Sequence, residues 1–372
     1  MKKILLITSM LLALASPSWA VTRYFDNTLA ADCTSGNYNF QSRNCTGSDG
    51  NAYNDFASIV SPTVAGDTII MRGGTINDRM DFQGPNKSGT AGSPITVMGQ
   101  PGETVTIQWS GCDAYGAIKA RGNRGYFVFK DFIIDGINMC VTGTLESGWS
   151  IRDGNHHFTI QRLEIKNQDR PGLYIGTATD ILVEDSSFHD ARSDCVPGNR
   201  HYGWYIHDGQ RIEMRRNKVY RMPGGGTQIY PGPLTDIFIH ENEIYENVWC
   251  SNSPIGGVTI ANDSTGGLVT NIQVYNNKIY RNGIASDLGT GGSGGGIRIG
   301  GGSPFTVAQI HVYNNTIYAN EVGLAGQSAY GLFIFTGVTA GAITAKNNLI
   351  LANESRQILN GGSGHTLSNN IT

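Results

Sequence analysis

The chain has 372 residues, with 27 lysines and arginines against 30 aspartates and glutamates and a net charge of −3. Only 15% of its residues are charged, which fits poorly with nucleic acid as a main partner, because nucleic-acid-binding proteins present dense basic patches. Glycine is abundant at 50 residues, yet aliphatic positions recur regularly, so the composition describes a turn-rich all-β protein rather than a disordered chain.

Residues Met1 to Ala20 read as a secretory signal: Lys2 and Lys3, an apolar run from Ile4 to Ala15, then Ser18-Trp19-Ala20 as the cleavage site. No later segment approaches about 18 apolar residues, the length needed to span a bilayer. The expectation is a protein exported to the periplasm or the medium, with 21–372 as one elongated domain. Loss of Lys2 and Lys3 leaves 25 basic residues against 30 acidic ones.

Six cysteines in an exported chain predict three disulfides. Cys33 and Cys45 staple the N-terminal region, Cys112 and Cys140 sit in loops before similar strands, and Cys195 and Cys250 occupy two long loops. No Cys-x-x-Cys or histidine cluster accompanies them, so metal is not expected on the cysteines. Residues Asp49 to Ile59 (DGNAYNDFASI) predict a short amphipathic helix, suited to plug the open end of a solenoid. Two strands follow, in GDTIIMRGGT (Gly66 to Thr75) and SGTAGSPITVMGQPGE (Ser88 to Glu103), each bounded by turn residues.

From Thr235 onward the chain repeats itself. TDIFIHENEIYENV, TNIQVYNNKIYRNG, AQIHVYNNTIYANE and GAITAKNNLILANE share one grammar: an alternating run, an Asn, an aliphatic residue, usually Tyr, and a second Asn. The anchoring residues Asn242, Asn277, Asn315 and Asn348, with Asn217 before and Asn370 after, recur at unequal spacings. A parallel β-helix tolerates such spacing, because each rung is one coil of short strands and insertions bulge from its turns. Inward asparagines would satisfy backbone groups at each corner. Ile244, Ile279, Ile317 and Ile350 would fill the interior, and Tyr220, Tyr245, Tyr280 and Tyr318 would stack.

GDTIIMRGGT, SGTAGSPITVMGQPGE and the NNxIY rungs together resemble the exported right-handed parallel β-helix proteins of the pectate-lyase-like superfamily. The resemblance runs from about Tyr24 to Thr372. It implies a single-stranded right-handed parallel β-helix and admits lyases, epimerases, glycoside hydrolases, tailspikes and proteins without known activity. The Lys-and-Arg signatures of the chondroitinase-B and alginate lyase group are not matched, nor is the Asp cluster that binds calcium in several pectate lyases.

A β-helix has no mouth, so a ligand must lie along an outer face. AIKARG, SIRDG, YIGTA, YIHDG, QIYPG, TIAND, RIGGG and FIFTG align on inward isoleucines from Ile151 to Ile334. Alternation then predicts an outward column of Lys119, Ser150, Tyr174, Tyr205, Gln228, Thr259, Arg298 and Phe333. Beside it runs Arg121, Arg152, Gly176, His207, Tyr230, Ala261, Gly300 and Phe335. Basic groups pair with carboxylates and aromatic rings stack on sugars, so this face suits an acidic polysaccharide.

For β-elimination, Arg152 would neutralise a uronate with Lys119 or Arg121. His207 or Tyr205 would be the base and Tyr230 the acid. Tyr174, Gln228 and Arg298 would bind substrate, and Arg200 and His201 on the loop from Ala191 to His201 would make outer contacts. The short Met222 to Gly226 segment would leave a gap between longer loops.

An inverting hydrolase would instead use Asp153, Asp208 and Asp263, whose neighbours lie two rungs apart. The same aspartates fit simple turn caps. A third reading is a glycan-binding rod without catalysis, for which the glycine-rich stretch Gly289 to Ser303 offers a flat contact surface. Asp185, Asp190 and Asp194 are the candidate ligands for calcium, and no other cofactor is expected.

Overall fold

The structure, a computed structural model, describes residues 20–84, 87–139, 147–192, 201–248, 255–262, 267–283, 295–300, 307–320 and 329–372. The predicted signal at 1–19 lies outside them. Three parallel sheets of 13, 10 and 8 strands wrap one core, each strand pairing with its counterparts one coil before and after. This is the expected all-β right-handed parallel β-helix. Among the described residues no helix is long and apolar enough to cross a membrane.

One coil runs from a strand of the 13-stranded sheet, such as Val269–Tyr275, through a two-residue corner into a strand of the 10-stranded sheet, Lys278–Tyr280. It reaches the 8-stranded sheet at Gly295–Ile299. The first corner residue takes a left-handed conformation whatever its type: Asp185, Arg216, Glu241, Asn276, Asn314 and Asn347 all have φ between 53° and 57°. Such backbone costs about 1 kcal/mol or more away from glycine, so the neighbouring residue must hold it.

That residue is the buried asparagine. Nδ2 of Asn242 donates to Oδ1 of Asn277 at 3.1 Å, Asn277 to Asn315 at 3.0 Å, and Asn315 to Asn348 at 3.0 Å. The second asparagine of each repeat builds a parallel ladder, Asn247 to Asn282 at 3.0 Å and Asn282 to Asn320 at 3.0 Å. Each ladder supplies both amide and carbonyl partners to corners that would otherwise bury them unpaired. Ile244, Ile279, Ile317 and Ile350 are fully buried between the ladders. Outside, Tyr220, Tyr245, Tyr280 and Tyr318 stack with centroids 4.9 to 5.1 Å apart.

The cap is shorter than predicted. Only Phe56–Val60 is helical, begun by Asp55, whose carboxylate accepts from the Ser58 N–H at 2.8 Å. The preceding Asn51–Tyr53 is a strand, paired in parallel with Thr22–Phe25 at the edge of the 13-stranded sheet. Pairing to that open edge overrides the helical pattern. Phe56, Ile59 and Val60 still close the core, Phe56 stacking on Phe25 at 4.2 Å. Cys33 and Cys45 form the expected disulfide. Cys112 is also disulfide-bonded, while Cys140, Cys195 and Cys250 lie outside the described residues.

Candidate functional site

The 8-stranded sheet runs from Trp149–Ile151 to Arg356–Asn360. Its register follows the predicted column: Ser150, Tyr174, Tyr205, Gln228, Thr259, Arg298 and Phe333 are successive partners. Ile151, Ile175, Ile206, Ile229, Ile260, Ile299 and Ile334 are all fully buried in the core. Gly176 pairs with His207, so Arg152, Gly176, His207 and Tyr230 follow one another in the second column.

The column stops short of Lys119. Ile118–Lys119 pairs with Met80–Asp81 rather than with Trp149–Ile151. The tight turn ending at Gly116, where φ is +75° and a Cβ would lie 2.3 Å from the Gly148 carbonyl, sets the preceding segment against Trp149. Tyr115 therefore occupies the place assigned to Lys119, its carbonyl accepting from the Ser150 N–H at 3.0 Å. The basic residues gather around its ring instead: Arg152 at 4.1 Å from the centroid, Arg121 at 5.1 Å and Lys119 at 5.6 Å. Asp113 binds Lys119 at 3.1 Å and Arg79 at 2.6 Å, and the Arg121 guanidinium donates to the Tyr115 hydroxyl at 2.8 Å. Tyr115, Arg79 and Asp113 lie outside the strand columns, because Arg79 precedes the strand Met80–Asp81 and the other two belong to the loop that ends at Gly116.

The middle of the face is covered, contrary to the expected open groove. Tyr205 is 1% exposed and Tyr174 8%, and together with Tyr202, Val248 and Ile255 they form an apolar cluster outside the rod, with Tyr230 at its edge. Tyr205 stacks on Tyr174 at 5.5 Å and on Tyr202 at 5.7 Å. At 1% exposure Tyr205 is a packing residue of this cluster, screened from solvent rather than presented to a ligand as the alternation of the strand predicts. The gap expected at Met222 to Gly226 is filled: Gly225 pairs with Tyr202, and a Cβ there would lie 2.7 Å from Ile255 and 3.1 Å from the Tyr202 ring.

His207 lies at the margin of this cluster, its side chain 29% exposed and its ring centroid 6.2 Å from Tyr174 and 6.4 Å from Tyr205. Nδ1 lies 2.9 Å from the Asp208 carboxylate, which orients the imidazole and leaves Nε2 for proton transfer. Two rungs away, about 10 Å at the spacing of parallel strands, Arg152 stacks on Tyr115. Its Nε is buried without a hydrogen-bond partner, and no carboxylate among the described residues forms an ion pair with it. Between them, a Cβ on Gly176 would lie 2.5 Å from the Tyr174 ring, so the absence of a side chain lets that ring lie back toward the gap. A cation, a phenol and a carboxylate-held imidazole thus line one short stretch. Gln228 and Arg298 follow along the face, both partly buried.

The aspartates have other duties. Asp153 accepts from the Tyr115 hydroxyl and lies 3.8 Å from Arg121, and Asp208 holds His207. Both have positive φ just after their strands, in keeping with turns, and Asp263 lies outside the described residues. Asp185 is paired with Arg216 and Asp190 with Arg221, while Asp194 lies outside the described residues. No group of three His, Cys, Asp or Glu placed to hold a metal occurs among the described residues. His201 is 3% exposed, and Arg200 lies outside the described residues.

The sequence profile described as "Right handed beta helix region" matches residues 147–372, more than half of the chain. The chain belongs to this family. No curated protein matches its sequence. Among solved structures, this family member resembles the A-module of the mannuronan C-5 epimerase AlgE4 of Azotobacter vinelandii, at 16% identity and a TM-score of 0.47, over 81% of this chain and 91% of that one. Pectate lyase Pel9A is similar at 16% identity and a TM-score of 0.46, over 92% and 78%. An alginate lyase from Paenibacillus sp. str. FPU-7 is similar at 12% identity and a TM-score of 0.37, over 84% and 96%. These are likenesses in the path of the chain only.

Proposed function

We propose that this β-helix protein is exported and carbohydrate-active, takes an acidic, uronate-bearing polysaccharide across the outer face of its 8-stranded sheet, and cleaves it by β-elimination. The observation that carries the reading is Arg152, a stacked guanidinium with no carboxylate partner among the described residues, two rungs from the Asp208-held His207. Most arginines among the described residues meet acids, as Arg162, Arg211, Arg216 and Arg221 do, so a stacked cation kept without one two rungs from a proton-transfer group fits an anionic substrate.

Arg152 neutralises the uronate carboxylate and so acidifies the C5 proton. Nε2 of His207 takes that proton, and the electron pair forms the C4–C5 double bond as the C4–O bond breaks. Tyr230, the next residue in the column, gives its phenol proton to the departing oxygen. Tyr174, Gln228 and the Tyr115 cluster with Lys119 and Arg121 position the chain.

The test is incubation with pectate, alginate, hyaluronan, chondroitin and ulvan, reading the ultraviolet absorbance of unsaturated uronides beside a reducing-end assay. The expected result is absorbance with at least one polymer, reduced about 10²- to 10⁴-fold in kcat by His207→Ala and lowered in kcat as well as in affinity by Arg152→Gln, because its cation stabilises the charge that develops in the transition state. Reducing ends without absorbance would transfer the reaction to hydrolysis by Asp153 and Asp208. Binding without either signal would make the chain a glycan-binding rod.

A further inference from the structure

Most arginines among the described residues pair with an acid, though Arg124, Arg152, Arg192 and Arg356 form no ion pair there. Arg43, Arg72, Arg162, Arg211, Arg216 and Arg221 each meet a carboxylate within 3.0 Å. Arg298 is a further exception. It lies on Gly295–Ile299, in register between Thr259 and Phe333, with its guanidinium 4.3 Å above the centroid of Phe335. Its Nε is shielded from solvent and has no hydrogen-bond partner, and no carboxylate among the described residues pairs with it. Burial pushes its pKa below the ordinary guanidinium value, down to about 10, opposed only by the phenol of Tyr202, so the group is still a cation at neutral pH.

A largely desolvated charge without a partner is costly to the fold, and a hydrophobic side chain on the same aromatic shelf would be cheaper. What such a charge does well is bind an oxyanion. A guanidinium is planar, weakly hydrated and able to donate in parallel to carboxylate or sulfate, and stacking on Phe335 leaves its edge for that purpose.

We infer that Arg298 is a second anion anchor, holding a carboxylate or sulfate of a glycan three rungs from His207. The inference rests on the ligand-bearing face proposed above and adds a length requirement to it. Three rungs correspond to about 14 Å, and the second column between the two sites carries Tyr230, Ala261 and Gly300, none of which repels an anion. A ligand gripped at both ends binds more tightly than one that covers only the stretch from Arg152 to His207.

Affinities are measured by calorimetry for oligogalacturonates from disaccharide to octasaccharide, and for chondroitin sulfate before and after desulfation, with wild type, Arg298→Gln and Arg298→Lys. Wild type is expected to favour the long oligomers. Arg298→Gln should lower their affinity about tenfold or more, the usual weight of a charge-assisted contact, while leaving the disaccharide unchanged. Arg298→Lys should recover part of the loss. A preference for sulfated chondroitin that vanishes in Arg298→Gln would assign the site to sulfate, and equal binding of both forms to carboxylate.

Ligand-free Arg298→Gln should melt at or above the wild-type temperature. A clear drop would make Arg298 a structural residue and overturn the anchor. Length dependence that survives Arg298→Gln would also overturn the anchor while leaving the proposed function standing. If wild type binds none of these anions, both fall.

Discussion

Asn277 shows how much one buried amide can carry. Its Nδ2 donates to the Ile239 carbonyl at 2.8 Å and to Asn315 Oδ1 at 3.0 Å, while its Oδ1 accepts from the backbone and side chain of Asn242 at 3.0 and 3.1 Å. Removing it leaves buried donors and acceptors on two neighbouring rungs without partners. Asn277→Ala is therefore expected to cost about 3 kcal/mol, two or more unsatisfied groups at 1 to 3 kcal/mol each. Asn276, beside it, is exposed at φ 55° and its side chain belongs to neither ladder. Asn276→Gly should change stability by less than about 1 kcal/mol, because glycine takes that conformation freely. Urea denaturation of both variants checks the pair, and equal losses would show that the ladder is not what holds the corner. The same contrast explains why Asn277 was legible in the sequence. A residue with one structural answer recurs at every coil, whereas His207 or Arg152 occurs once and is recognisable only by its surroundings.

The N-terminal element closes the rod through a buried polar network rather than through its five-residue helix alone. Asp26 is fully buried and accepts from Arg43, Thr28 and Tyr38, and Arg72 joins Tyr38 to Glu103. Burial works against the charged form of Asp26, but the hydrogen bonds from Arg43, Thr28 and Tyr38 win and hold its pKa at about 2 against an ordinary 3.8. Because the folded-state value is the lower one, the stabilisation is complete above about pH 4 and is lost as pH falls through 2. It amounts to about 2 kcal/mol. Asp26→Asn should therefore lower stability at pH 6 and change it little at pH 2, measured by denaturation across that range. A loss of equal size at both values would mean that the effect is steric. The staple and the plug could be read from sequence because cysteine spacing and an amphipathic pattern are local. The network could not, since Asp26, Arg43, Arg72 and Glu103 meet only after the first coils have stacked.

On the scale of the molecule, the inward columns were legible because each coil repeats the packing of the last. The face was less so, for two reasons. Extrapolating the column to Lys119 failed where the Gly116 turn sends Ile118–Lys119 to a different partner. Assuming that outward means exposed failed where Tyr202, Val248 and Ile255 come from outside the column to bury Tyr174 and Tyr205. The same one-dimensional stacking predicts how the rod opens. Each coil is held by its neighbours alone, so strands with a partner on only one side should be the least stable. Arg356–Asn360 and Thr366–Ser368 are the last strands of their sheets, and their residues are half-buried or exposed. Leu351 and Ile371 beside them are 40% and 65% exposed. Leu234–His240 and Val269–Tyr275, by contrast, are flanked on both sides and bury Ile237, Ile239, Ile272 and Val274 completely. Amide hydrogen exchange should therefore fall in rate from Thr366–Ser368 toward Leu234–His240 by several orders of magnitude. The opposite end should stay protected to its edge strand, Asn51–Tyr53, because the disulfide-stapled segment and Phe56–Val60 cover it. Uniform exchange along the rod would instead mean that it opens as one cooperative unit, and Asn277→Ala would then accelerate exchange at both ends alike.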